Sequence, residues 1–311
     1  MASKKIVVVG SSNTDMIIKT PRIPRPGETV LGGEFSIAAG GKGANQAVAA
    51  ARAGGKVSLV ARVGRDMFGE QAITALARDG IDISLVFQDP GAPSGVALIF
   101  VGEGGENSIA VASGANARLS TEDVMQSRDA ISSSALLLMQ LETPLDTIQA
   151  AADIAVRSKV KVILNPAPAR PVPAELLKRA SILTPNEHEA EVLTGIKVED
   201  ERSANQAAEA LLARGVGAVL ITLGARGVYV AAGRKREITP GYKVEAVDST
   251  GAGDVFNGAL AVALAEGKTI QNAARFANAA AALSVTRLGA QPSIPRRDEI
   301  DAFLSRHAVS G

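Results

Sequence analysis

Asp254 follows three small residues, Gly251, Ala252 and Gly253, and opens an apolar-patterned helix of Val255, Phe256, Ala259, Leu260, Ala263 and Leu264. The apolar run 244–247 reads as a strand that leads through Asp248, Ser249 and Thr250 into the glycines. Glycines at a strand-to-helix junction leave backbone N–H groups bare, and the helix dipole adds positive potential there. The junction therefore reads as an anion site. The field that holds a phosphate should also hold Asp254 ionised. An ionised carboxylate beside a phosphoryl-transfer pocket suits a general base acting on a hydroxyl. The competing reading makes Asp254 a helix N-cap and the glycines a tight turn. The stretch by itself does not separate the two.

A second glycine cluster, Gly40, Gly41, Lys42, Gly43, Ala44 and Asn45, opens an alanine-dense helix over 44–52. Glycines let a ligand approach the backbone closely, and Asn45 offers a polyol both a donor and an acceptor. The cluster is not a Walker A loop, because no Ser or Thr follows the lysine. Gly267-Lys268-Thr269 also fails, since Val262 stands where that loop needs its first glycine. Asn13 and Asp15 sit just past a short apolar strand, 6–9, and Ser12 excludes a dinucleotide fingerprint there. Glu142, Asn165, Asn186 with Glu189, and Thr222 with Gly224 follow other apolar runs, and Arg226-Gly227 comes next. One such residue is usually a cap. Polar groups at several strand ends, all on one edge of an open α/β sheet, make a site.

The elements that carry these residues alternate. Strand-like runs fall at 57–63, 135–141, 160–165, 181–184, 218–223 and 227–231, and helical patterns at 69–79, 121–131, 145–157, 187–193 and 203–214. This predicts an α/β fold, a mostly parallel central sheet with helices on both faces. Two stretches leave the rhythm. Residues 15–39 hold β-like pieces at 16–19, 29–31 and 34–38, and residues 95–112 hold two more at 95–101 and 107–112. Strands without helices do not belong inside such a sheet, so both stretches are expected to form a small β lid. A lone lid sheet has unpaired edges and an apolar face, and two lids paired in a homodimer would cover both. Helices at 271–285, with Asn278 inside, and at 296–304 end the chain.

Composition bounds the rest. The chain has 311 residues, a net charge of +1, no cysteine and 3% aromatic residues. One α/β domain over 1–311 is expected. The charge points to neither nucleic acid nor membrane, and so few rings leave no base-stacking surface. Without cysteine there are no disulfides, thiol catalysis or cysteine metal sites. His188 and His307 lack metal-ligand spacing. The N-terminal apolar run is too short for a signal peptide or a span. A soluble, cytoplasmic protein is the expectation.

The stretch AGGKGANQAVAAARAG at 39–54 resembles the first signature of the ribokinase family, the PfkB carbohydrate kinases. DSTGAGDVFNGAL at 248–260 resembles the second, and NPAPA at 165–169, TPNEHEAE at 184–191 and TLGARG at 222–227 match in order and position. The resemblance covers essentially the whole chain. It implies a ribokinase-like, Rossmann-like three-layer fold with a lid, and ATP-dependent phosphorylation of D-ribose at its 5-hydroxyl. By the family pattern Asn13, Asp15, Gly41, Lys42, Gly43, Ala44, Asn45 and Glu142 hold the sugar, and Asp254 takes the proton of the attacking hydroxyl. Gly251, Ala252 and Gly253 would give N–H groups to the γ-phosphate. Asn186, Glu189, Thr222, Leu223, Gly224, Ala225, Arg226, Gly227, Gly253 and Asn278 match the nucleotide site, with Asn186 and Glu189 tied to Mg2+ and phosphate. Asp248, Thr250, Ser284, Arg287, Gly289 and Ser293 match a site for a monovalent cation, K+. A sibling kinase for another sugar or a nucleoside, and a catalytically silent sugar-binding module, are the other readings. Few aromatic residues disfavour the nucleoside, and the retained Asp254 disfavours the silent binder.

Overall fold

The computed structural model describes residues 5–104 and 106–307. Its strands, in chain order, are β1 (Lys5–Val9), β2 (Asn13–Thr20), β3 (Glu34–Gly40), β4 (Lys56–Gly64), β5 (Val86–Asp89), β6 (Gly95–Gly102), β7 (Asn107–Ala112), β8 (Leu136–Met139), β9 (Lys161–Leu164), β10 (Ile182–Leu183), β11 (Ala218–Thr222), β12 (Gly227–Ala232) and β13 (Lys235–Pro240). Nine form one sheet in the order β13-β12-β11-β10-β9-β8-β1-β4-β5. It is parallel from β5 to β11, and β12 and β13 extend it as an antiparallel hairpin. The other four form the lid, in the order β3-β2-β6-β7.

β1 explains the layering. Ile6, Val7, Val8 and Val9 are all fully buried. The pleat sends alternate side chains to opposite faces. Ile6 and Val8 join the core under the helices Lys42–Arg52, Ala252–Ala265 and Ile270–Ser284. Val7 and Val9 join the core under Leu145–Arg157, Glu187–Thr194 and Glu201–Ala213. A strand covered on both sides must be apolar throughout, and each such side chain contributes roughly 1.5–3 kcal/mol by leaving water. The register Val9↔Met139 levels the carboxyl ends of β1 and β8, while β4, paired through Val9↔Val60, runs on to Gly64. The chain turns polar just beyond that edge.

One close contact positions the site. A Cβ at Gly258 would lie 2.6 Å from both the Ala49 Cβ and the Gln46 carbonyl oxygen. Only a glycine lets the Ala252–Ala265 helix pack so tightly on Lys42–Arg52, and this brings Asn45 and Gln46 up to Asp254. The lid crosses the same edge. Asn13 and Asp15 are therefore the first residues of lid strand β2 and not loop residues. By register, Asp15, Ala97 and Val111 share one lid face with Ile17, Ile99 and Ile109. Met16, Ile18, Phe35, Ile37, Leu98 and Phe100 share the other. Phe35, Ile37 and Leu98 are exposed there.

Some expectations are corrected. Residues 244–247 form no strand; Val247 is exposed and its N–H donates to the Val285 carbonyl at 2.7 Å, along the end of a helix. Residues 29–31 are irregular, with Leu31 in solvent. The helix expected at 121–131 is two, Thr121–Gln126 and Arg128–Ser132, divided where the Ser127 hydroxyl turns back to the Asp123 carbonyl (2.9 Å). β5 and β13 carried no apolar run long enough to announce them.

Candidate active site

The Ala252–Ala265 helix begins three residues earlier than a capping role for Asp254 requires. Its N-cap is Gly251, whose φ of 76° favours glycine. Asp254 is thus inside the first turn, buried, and aimed at the Lys42–Arg52 helix. Its Oδ2 accepts from the Asn45 amide (3.0 Å) and its Oδ1 from the Gln46 amide (2.9 Å). The N-cap reading is overturned. The N–H groups are partly as expected: Ala252 donates to the Ser249 carbonyl (3.2 Å), while those of Gly251 and Gly253 meet no protein acceptor among the described residues.

Burial, not the helix field, decides the charge state. It pushes the Asp254 carboxyl above the usual carboxylate range, against the pull of Lys42, Gln46 and Asn45. The anion site's field is expected to hold it ionised; burial works against the ion instead. Burial also raises Asp15, to about 6, helped by the negative charges of Glu142 and Asp254 and opposed by Lys42. Glu189 is raised by burial as well. At Lys42, burial favours the neutral form, but Asp254, Glu142, Glu189 and Asp15 together outweigh it and hold the ammonium charged. One cation thus serves four carboxylates.

The residues expected to hold the sugar meet at the carboxyl end of β1. Gly41, with φ of 87°, would drive a Cβ to 2.6 Å from the Asn13 nitrogen. Glu142 Oε2 accepts from the Ser11 hydroxyl and from the Lys42 N–H (3.0 Å), and Gly43 N–H donates to the Ser11 hydroxyl (3.3 Å). Asn13 Oδ1 accepts from Asn116 (2.7 Å), which also accepts from the Ser12 N–H (2.9 Å). Ala44 is buried beneath this cluster.

On the other side a cleft is lined by Lys42, Asn165, Thr184, Asn186, Glu189, Thr222, Ser249, the Gly251–Gly253 turn and Asp254. Asn186 caps the Glu187–Thr194 helix: Glu189 N–H donates to Asn186 Oδ1 (2.7 Å) and Asn186 N–H to Glu189 Oε2 (2.8 Å). Capping and lining the cleft are both true of this pair. Leu223 N–H donates to the Gly227 carbonyl (2.8 Å), closing the turn that contains Gly224, Ala225 and Arg226. Arg226 pairs with Glu187 (2.5 Å). The Asn278 amide donates to the Thr239 and Pro240 carbonyls (3.1 Å each), fastening its helix to the end of β13.

The cation set is only partly gathered. Asp248 accepts from Thr250 N–H (2.9 Å) and hydroxyl (2.6 Å) and from Gly289 N–H (2.8 Å). Burial works against its charge, but these bonds hold its carboxyl below the usual range. Ser284 and Ser293 donate their hydroxyls to carbonyls of their own turns, Ala281 and Ala290 (2.8 Å each). Arg287 pairs with Glu299. No cluster of three or more His, Cys, Asp or Glu that could hold a metal occurs among the described residues. Asn186 and Glu189 in the cleft build no protein cage, and a lone carboxylate of this kind would suit Mg2+, which keeps waters and binds through one or two carboxylates plus substrate phosphates. Among the described residues no helix is long and apolar enough to cross a membrane.

Sequence reading missed Gln46, Asn116, Gln140, Asn257 and Gln291. Gln46 and Asn257 are polar residues on otherwise apolar helix faces, and Gln140 ends the apolar run of β8. That is the signal each carried. Gln291 donates to Asn45 Oδ1 (3.1 Å), and Thr184 donates to Asn257 (2.6 Å).

A family model, pfkB family carbohydrate kinase, matches residues 3–297. Ribokinase of Haemophilus influenzae is 50% identical over 301 residues, covering 97% of this chain and 98% of its own length. The crystal structure of ribokinase from Thermotoga maritima aligns with a TM-score of 0.89 at 41% identity, over 96% of this chain and 99% of that one. The structure of Arabidopsis thaliana ribokinase complexed with ribose and ATP aligns with a TM-score of 0.90 at 35% identity, over 98% and 99%.

Proposed function

The chain belongs to the pfkB family of carbohydrate kinases, and from that premise we propose that it transfers the γ-phosphoryl group of ATP to the 5-hydroxyl of D-ribose, acting as one α/β domain with its lid. The observation that carries this reading is Asp254: a buried carboxylate held by two amides, beside N–H groups that meet no acceptor among the described residues and the half-buried ammonium of Lys42. Phosphoryl transfer asks chiefly for positioning and charge stabilisation. Asn13, Asp15, Asn45 and Glu142 present donors and acceptors to the sugar. Asp254 takes the proton as the hydroxyl attacks. A base with a raised pKa is closer to the optimum near neutral pH than an ordinary carboxylate. Lys42 and the N–H groups of Gly251 and Gly253 receive the phosphoryl oxygens. Asn186, Glu189 and the Thr222–Gly227 turn hold the nucleotide, with Asn278 fixing the wall behind it. Magnesium, when bound, would screen the phosphate charges near Glu189. The decisive assay is ATP turnover against ribose, deoxyribose, fructose, adenosine and pseudouridine. Preference for anything but ribose overturns the reading.

Activity depends on pH through Asp15. In the free enzyme its carboxyl titrates near 6, and its ionised form accepts sugar hydroxyls. Sugar affinity is therefore full above that value and falls as pH drops through it. The fold responds oppositely: a folded-state pKa above the unfolded one means the native state binds the proton more tightly, so this group favours folding as pH falls. The KM for ribose should rise about tenfold per unit below pH 6; a flat profile from pH 7 to 5 would remove Asp15 from the sugar site.

Potassium should activate, and sodium much less. Asp248 ties Thr250 to Gly289 at the entrance to the anion turn, so a cation bound by neighbouring carbonyls would stiffen the N–H groups without touching substrate. Equal turnover without potassium, at constant magnesium, counts against it. The lid supports a homodimer, since Phe35, Ile37 and Leu98 lie exposed on one face. Phe35→Glu with Ile37→Glu should shift sedimentation from dimer to monomer; a parent protein already monomeric at micromolar concentration sinks this. The lack of cysteine fits the cytoplasm.

A further inference from the structure

Behind Asp254 lies a chain of buried amides, of which Asn165 also lines the cleft. Gln46 and Gln140 are both fully buried. Gln46 Nε2 donates to Asp254 Oδ1 (2.9 Å) and to Asn165 Oδ1 (3.0 Å). Gln46 Oε1 accepts from Gln140 Nε2 (2.6 Å). Gln140 Oε1 has no partner among the described residues. Room is kept for it: a Cβ at Gly10 would lie 2.2 Å from that oxygen.

The order of donors along this chain has one cause. An ionised carboxylate accepts and never donates. Gln46 must then turn its NH2 to Asp254 and its oxygen away, and Gln140 must turn its NH2 to that oxygen. Reversing either amide sets oxygen against oxygen. The orphaned acceptor at the far end is the cost of the chosen direction, because an unpaired buried polar atom is unfavourable. An arrangement serving packing alone would not retain it.

We propose that Gln46, locked in direction by Gln140, is the positioning residue of the base: it aims Asp254 at the acceptor hydroxyl and favours its proton-accepting form. This rests on Asp254 being the base. The charged groups facing Asp254 are Lys42 from its helix, Glu142 after β8, Asp15 on β2 and Glu189 on the Glu187–Thr194 helix. None of these four hydrogen-bonds through its side chain to either glutamine.

The test compares Gln46→Leu and Gln140→Leu with the parent by the pH profile of kcat at saturating substrates, and by calorimetric ribose binding. Losing a hydrogen bond to a charged group moves a titration by about one to two pH units. For Gln46→Leu the acid limb of kcat should move up by that amount, with ribose affinity within about threefold of the parent. Gln140→Leu should shift the limb in the same direction by less, and the double variant should be no worse than Gln46→Leu alone, as expected for residues acting in series. Superimposable profiles in folded single variants overturn the proposal. A measurement on the parent covers variants that fail to fold. The Gln46 side-chain NH2 resonances should move with the same midpoint as the acid limb; resonances indifferent to pH across it also overturn the proposal. The base reading fails separately, if Asp254→Asn keeps parental turnover.

Discussion

Asp254→Asn should lower kcat by about 10²–10⁴ while sugar binding survives, because the amide cannot accept the hydroxyl proton. The structure sharpens the comparison. Asp254 does not cap its helix, so the substitution removes no cap. It takes away a buried charge, which favours folding, and it turns an NH2 toward one of the two amides that now donate to the carboxylate, which costs about 1–3 kcal/mol. These oppose each other, and the melting temperature should move little. Ribose affinity should drop modestly, by about one hydrogen bond, roughly 0.5–1.5 kcal/mol. The backbone N–H groups remain, so turnover stays above background. Single-turnover transfer beside calorimetry on one preparation separates the effects. Transfer within about threefold of the parent, with the fold intact, would end the assignment of Asp254 as base.

Lys42→Met should be nearly as damaging, by a different route. Its ammonium lies among Asp254, Glu142, Glu189 and Asp15 and lowers the proton affinity of Asp254 and Asp15. Removing it takes away one stabiliser of phosphoryl charge, a loss comparable to an oxyanion donor at about 10²–10³ in kcat. It also leaves the carboxylates to repel one another, so both pKa values rise. The base then stays protonated to higher pH, and the acid limb of kcat/KM shifts toward alkaline values. The sign follows from the charge of Lys42, which opposes burial at both aspartates. A variant with an unmoved acid limb would show that Lys42 acts on phosphate alone.

The fold was largely legible because burial on two faces forces apolar runs, as in β1, and because alanine and glycine spacing marks the helices that close on the site. Charge state was not legible. The sequence shows Asp254 beside a helix start, where the local field favours the ion, but how deeply that carboxyl is buried depends on the Lys42–Arg52 helix, far away in the chain, which Gly258 allows to approach. The amide chain was hidden for the same reason. Gln46, Gln140 and Asn165 are distant in sequence and read singly as ordinary polar residues. Residues 244–247 misled in the other direction: an apolar pattern can serve a segment laid against a helix end. Of the residues expected around a monovalent cation, Thr250 and Gly289 both bond to Asp248, while the side chains of Ser284, Arg287 and Ser293 are engaged elsewhere.

β2 begins with Asn13 and Asp15 and continues, without a break, as a central strand of the lid. These residues, proposed to hold the sugar, are one rod with the lid. Anything that grips the outer face of the lid and favours one position of that rod also alters the sugar's affinity, and linkage requires the sugar to alter the affinity of the grip by the same factor. A second copy seated on Phe35 and Ile37 would then be an effector as much as a scaffold. Ribose would tighten the assembly to the same extent that assembly tightens ribose, and each could be measured through the other.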